Sequence, residues 1–265
     1  MELIKTLRDR TGAGMVECKK ALDESGGDIE KAVEILRKKG IAKAAKRTDR
    51  ETSEGVVKVA VNDDNTEGYI LELDSETDFV ARNDKFQSFA DEALTLIKAN
   101  KPASLEELFS LSMADGLGLK ESLDTLSGTI GEKLELKRFE IVAGKTVAAY
   151  SHMGGRIGVL VVLDTENKKD LAGDIAMQVA AANPRYINPE EVSAEEVEKE
   201  KSIYREQLIK EGKPEAMIEK IAEGKINKFY SEICLAKQEY IKDDKRSVEN
   251  VLAGAKIEKF VRYSL

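Results

Sequence analysis

Three carboxylates in "LELDSETDFVARND" (residues 71–84), Asp74, Glu76 and Asp78, stand at every second position. Alternate residues of an extended chain share a side, so they could form an acid/base pair or a Mg²⁺ site; solvation or helix capping is the competing reading. Beside them stands Phe79, between two periodic patterns rather than inside either. Its ring either folds back on the following helix as a hydrophobic staple or is displayed as a contact, and spacing alone leaves both open. His152, the one histidine, sits beside "MGGR" and could be a general base, but no serine or cysteine motif accompanies it. A strand-end residue that makes hydrogen bonds or contacts a partner is the alternative. Cys18 precedes Lys19 and Lys20, which would lower its thiol pKa if they lay close. Cysteine is also a good small buried hydrophobe.

Two further stretches carry weaker signals. "GAG" at Gly12 to Gly14 suggests a phosphate cradle, yet it follows a helical pattern rather than a strand and has no adjoining GKS or GKT, so a turn between helices is favoured. The basic run from Lys38 to Arg50 could touch RNA, but no aromatic platform interleaves it, and a solvated linker fits better. A net charge of −8 disfavours a general nucleic-acid binder. Two distant cysteines and a single histidine make neither a disulfide framework nor a zinc finger, so no metal and no cofactor is expected. The N-terminus "MELIKTLRDR" lacks a secretory signal pattern and the apolar run "IGVLVVL" is too short for a bilayer, which suits a cytoplasmic protein.

The elements that must position these residues follow from periodicity. Residues 1–40 predict three short helices, with Leu3, Ile4 and Leu7 on the first, Val16, Ala21 and Leu22 on the second, and Ile29, Ala32, Val33 and Leu36 on the third. Asp28 is the expected N-cap of the third helix and Gly40 its C-cap. A partly helical linker over 41–53 follows. "EGVVKVAV" and "GYILELD" predict a hairpin turned by "NDDNTE". A helix from Asp84 then places Phe86, Phe89, Ala90, Ala93, Leu94 and Ile97 on one face.

The same grammar recurs in "KTVAAYSH", "MGGR", "IGVLVVLD" and a helix through Leu171, Ile175, Val179 and Ala182, an internal repeat. "GEKLELKRFEIVAG" and "GAKIEKFVRYSL" each predict a third strand. The fold class is therefore α+β: two related units over 54–144 and 145–265, each a three-stranded antiparallel sheet with helices on one side. At about 190–235 the second unit carries an insert. A capping box from Ser193 to Glu196 opens a helix through Val197, Tyr204 and Leu208, and a second helix runs through Ile218, Ile221, Ala222, Phe229 and Ile233. An antiparallel helical hairpin is expected, weakened midway by Gly224.

Taken together, "LRDRTGAGMVECKKAL", "GGDIEKAVEILRKKG", "ETDFVARND", "RIGVLV", "AMQVAA" and "EEVSAEEVEKE" resemble the bacterial elongation factor Ts family, from Leu3 to Leu265. The resemblance implies a guanine-nucleotide exchange factor, not an enzyme of covalent chemistry, whose partner is elongation factor Tu. It implies that the N-terminal helices, related to ubiquitin-associated domains, dock on the partner's G domain through Arg8, Met15, Val16, Cys18 and Lys19. The family's "TDF" motif maps onto Thr77, Asp78 and Phe79, followed by Val80; its phenylalanine wedges between helices of the G domain and disturbs the Mg²⁺ and phosphate site. Ile130, Gly131 and His152 match positions with which the second unit grips another domain of the partner. "SHMGGR" departs from a shorter family turn. Longer members continue beyond the segment matching "FVRYSL" into a helical module that also touches the partner, and its contacts are not expected from these residues.

Overall fold

Leu7, Cys18, Ala21, Leu22 and Ala32 are buried together and give the N-terminal helices a small core of their own. These helices are α1 (Glu2–Thr11), α2 (Met15–Glu24) and α3 (Ile29–Ala44) in the computed structural model, which describes residues 1–114 and 116–265. Cys18, Ala21 and Leu22, at helical spacing, supply the inward stripe of α2. Val16 and Leu3, expected inside, are exposed. Asp28 caps α3 as expected, accepting from the Lys31 amide at 3.1 Å. Gly40 does not end α3, which runs on to Ala44 and then into a 3₁₀ turn, Ala45–Arg47. Instead its bare Cα lies against α7 (Leu119–Ile130), where a Cβ on Gly128 would meet Gly40 Cα at 2.3 Å. The missing side chains let two helix backbones approach closely.

The chain then forms β1 (Glu54–Val61) and β2 (Glu67–Ser75), and β3 (Leu134–Ala143) completes an antiparallel sheet in the order β1-β2-β3. Between β2 and β3 lie the single turn α4 (Asp78–Ala81), α5 (Asp84–Asn100), the short α6 (Leu105–Ser110) and α7. The six apolar positions expected on the helix from Asp84 are all buried, and they cover one face of the sheet. The repeat gives β4 (Thr146–His152), β5 (Ile157–Leu163), α8 (Lys169–Ala182) and β8 (Ile257–Ser264), with the antiparallel order β4-β5-β8.

Each sheet carries its helices on one side. The other sides pack on each other: Val57, Ile70 and Val142 from the first sheet meet Val147, Leu160, Val162, Val261 and Tyr263 from the second. Alternation along each strand thus feeds two cores, and this explains why strands such as "YILELD" and "IGVLVVL" are buried on both faces.

The expected helical hairpin is α9 (Ala194–Lys210) and α10 (Glu215–Ile233), joined by a turn through Gly212. Ser193 caps α9, accepting from the Glu196 amide at 3.2 Å, but the Glu196 carboxylate does not return to close the box; it accepts from Arg185 and Tyr186. Helix α10 passes through Gly224 unbroken. Beyond it, β6 (Glu239–Tyr240), β7 (Asp243–Ser247) and α11 (Val248–Leu252) lead into β8.

Candidate functional site

Phe79 is 83% exposed on α4, while its neighbours Val80 and Ala81 are turned into the first core. A single helical turn explains the division, because successive residues point about 100° apart and the apolar contact with the core is already supplied by Val80. The apolar contact with the core therefore belongs to Val80, and the ring of Phe79 is displayed.

The turn is held from below. Thr77 is its N-cap, with Oγ1 accepting from the Val80 amide at 3.4 Å. The same hydroxyl donates to Glu132 Oε1 at 2.7 Å, and the Thr77 amide donates to Glu132 Oε2 at 3.1 Å. Ser75 Oγ donates to the Thr77 carbonyl at 3.0 Å, and Asp78 pairs with Arg82 at 3.0 Å. Glu132 escaped the sequence reading; the available signal is its place directly after the helix-ending Gly131, which has φ 96°. Because Glu132 spans Thr77 on both its polar groups, Glu132→Ala is expected to slow any process that uses Phe79 severalfold while lowering stability by about 1–2 kcal/mol. Affinity for any partner that takes the Phe79 ring, measured beside a urea titration, checks this, and proportional loss of both would reduce Glu132 to a structural residue.

Ile130 and Gly131 end α7 and adjoin Glu132, so they lie beside the Phe79 turn in the first unit rather than in the second with His152. His152 ends β4, exposed, its Nδ1 3.1 Å from the Tyr150 hydroxyl and its ring stacked on that of Tyr150. The β4–β5 turn nevertheless reaches the same end of the molecule. Val57 donates to the Gly155 carbonyl at 2.7 Å, and Arg156 pairs with Glu54 at 2.6 Å. The hydrogen bond and charge of Glu54, with a smaller contribution from Asp78, raise the Arg156 pKa. Met153 on this turn is 66% exposed.

The N-terminal helices adjoin this end too. Gly12, in the α1–α2 turn, is packed against Lys85 Nζ at the start of α5, and "GAG" is the turn between two helices, with no strand before it. Just beyond, Met15 and Val16 are 58% and 67% exposed, and Arg8 and Lys19 are exposed as well. Cys18 is fully buried, as its reading as a small buried hydrophobe expects, its Sγ donating to the Ala13 carbonyl at 3.5 Å, so any part it has in a partner contact comes from beneath the α2 surface. Val80 is likewise buried.

The carboxylates part company because β2 ends at Ser75 and the chain bends over Glu76 and Thr77 into α4. Glu76 accepts from the Lys133 amide and pairs with Arg50, Asp78 pairs with Arg82, and Asp74 is buried facing Lys137 at 3.2 Å. Among the described residues, no three His, Cys, Asp or Glu side chains are placed to hold a metal ion. Much of the basic run is paired piecemeal, with Lys38 on Glu34, Lys39 on Glu24 and Lys43 on Glu17, while Arg47 donates to the Ser127 carbonyl.

Burial and the neighbouring Glu72 push the Asp74 pKa up to about 6, against the pull of Lys137. A carboxyl whose pKa is higher in the folded state binds its proton more tightly there. Folding is therefore favoured by protonation, and stability falls as pH rises from about 4 through 6. Asp74→Asn is expected to stabilise the protein by roughly 2–3 kcal/mol at pH 8 and by much less at pH 4. Urea titrations at the two pH values check it, and an equal effect at both would contradict it.

A model of the family described as Elongation factor TS matches residues 76–265. The chain is also 48% identical over 278 aligned positions to "Elongation factor Ts" from Chlorobaculum tepidum, covering 99% of this chain and 96% of that protein.

Proposed function

The chain belongs to the elongation factor Ts family, and on that premise we propose that it binds elongation factor Tu carrying GDP, expels the GDP and leaves the site open to GTP. The observation that carries the reading is Phe79, an exposed aromatic on a capped turn that Thr77 and Glu132 brace against the sheet. An exposed ring on a rigid support is suited to insertion, because little conformational freedom is lost when it is buried in a partner.

Met15 and Val16, with Arg8 and Lys19 beside them, supply a second contact on the N-terminal helices; Ile130, Gly131 and His152 supply others. Thr77 and Asp78 shape the wedge, while Val80 and Cys18 act from within. Chemistry on GDP itself is not part of the mechanism: the wedge disturbs the Mg²⁺ and phosphate site of the partner, and the nucleotide leaves. Such work belongs in the cytoplasm. No helix among the described residues is long and apolar enough to cross a membrane.

Stopped-flow release of fluorescent GDP from elongation factor Tu tests the proposal. Release accelerates with chain concentration and then saturates; a rate independent of added chain would overturn it.

A further inference from the structure

Most arginines at the surface of this molecule face a carboxylate. Arg10 has Glu30, Arg50 has Glu76, Arg82 has Asp78, Arg156 has Glu54 and Arg185 has Glu196. Even Arg138, on β3, pairs with the buried Glu72 across β2 and lies over the Tyr263 ring at 3.9 Å. Arg8, Arg47, Arg246 and Arg262 depart from this pattern, and of these four, among the described residues, Arg262 alone has a buried Nε without a partner. Its neighbour across β5 is Val159, and among the described residues no carboxylate lies within ion-pair distance of it. Nε is buried without a hydrogen-bond partner, and the two terminal nitrogens make only long bonds, to Ser264 Oγ at 3.2 Å and the Ala180 carbonyl at 3.4 Å. Desolvation, with no compensating anion, holds the guanidinium below the usual arginine range.

A guanidinium whose Nε is buried without a partner, on a side chain that faces no carboxylate, is under-compensated, and such groups are ordinarily paired. The last turn of α8 offers Arg262 the weakly negative end of a helix, which tolerates the charge without neutralising it. The strand register shows where the group is placed. Tyr150, Val159 and Arg262 share one row across β4, β5 and β8, and His152, Ile157 and Ser264 share the next row on the same face. Two strand spacings, about 10 Å, separate β4 from β8. Arg262 is partly exposed, and each terminal nitrogen makes one hydrogen bond with a second N–H to spare, near the end of the sheet that carries His152.

We propose that Arg262 receives a carboxylate of the protein partner, an Asp or Glu side chain that completes the ion pair this chain lacks and fixes the register of the His152 end on the partner. A carboxylate matches the planar guanidinium fork, and its arrival repays a desolvation already suffered in the free protein. The inference rests on the binding of elongation factor Tu proposed above.

The test compares wild type, R262Q and R262K, each intact, in affinity for elongation factor Tu at several salt concentrations and in thermal melting. R262Q is expected to melt no lower than wild type, to bind about 10- to 100-fold more weakly and to show a flatter salt dependence. R262K keeps the charge but not the fork and is expected to fall between them; should R262Q not fold, R262K carries the test. Affinity within about twofold of wild type in a folded variant overturns the inference. If wild type binds and the variants bind equally well, only this assignment falls. If wild type itself does not bind, the exchange reading falls and takes this one with it.

Discussion

Phe79→Ala is expected to slow GDP release from elongation factor Tu by about 10- to 100-fold while leaving the melting temperature and urea midpoint of the free chain unchanged. The magnitude is that of burying one phenylalanine in the partner, roughly 1.5–3 kcal/mol. The absence of a stability effect follows from the 83% exposure of the ring, which contributes little to the core beneath it. Phe79→Leu, which keeps apolar volume, is expected to lose less. Unaltered release kinetics in a folded Phe79→Ala variant would remove the wedge role.

The same arithmetic limits the ring. Coupling between ligands is reciprocal, so under the proposed function the chain would weaken GDP only as far as GDP weakens the chain. Displacing a tightly held nucleotide needs more than a single aromatic supplies, and under the proposed function the remainder would come from a wider interface in which the N-terminal helices, the Phe79 turn and the His152 end act together.

That requirement gives the second large effect. Gly128→Val is expected to force α3 away from α7 and lower the affinity for elongation factor Tu by ten- to a hundredfold or more, as the two ends cease to bind as one body. A Cβ on Gly128 would meet Gly40 Cα at 2.3 Å and Gly40 C at 2.7 Å; both are backbone atoms, so no rotamer change relieves the clash. Gly128 itself has no positive φ, so the effect is steric rather than conformational. The helix junction is also held by Arg37 on Glu121 at 3.1 Å and by Arg47 on the Ser127 carbonyl at 3.0 Å, but overpacking a backbone contact costs about 1–3 kcal/mol, more than such partly exposed bonds return. Limited proteolysis should show new cleavage around residues 45–53. Wild-type protease resistance together with wild-type affinity would contradict this account of the junction.

What the sequence disclosed follows from the range of the interactions involved. Period-two strands, the amphipathic helix from Asp84, the repeat and the helical hairpin are written in residues close along the chain, and they were legible. The Gly40–Gly128 contact was not, since a bare Cα in a helix reads locally as a cap and only the opposing helix gives it another purpose. Val16 and Cys18 lie on one short helix where either could be placed inside by apolarity; the stripe formed by Cys18 with Ala21 and Leu22 decides it. Asp74, Glu76 and Asp78 read as one cluster only while the chain is taken as extended, and the bend over Glu76 and Thr77 sends them to three partners. Phe79 was recognisable as out of pattern, but its exposure depended on Val80 occupying the core. Glu132, which braces the turn, is brought to Thr77 by the pairing of β2 with β3 at Ser75–Leu134.

The central claim is that this chain and GDP oppose each other on elongation factor Tu, and it is tested most directly by measuring the affinity of the chain for elongation factor Tu without nucleotide and with saturating GDP. The account predicts tighter binding to the empty form, by the same factor by which the chain weakens GDP. Equal affinities for the two forms would contradict it.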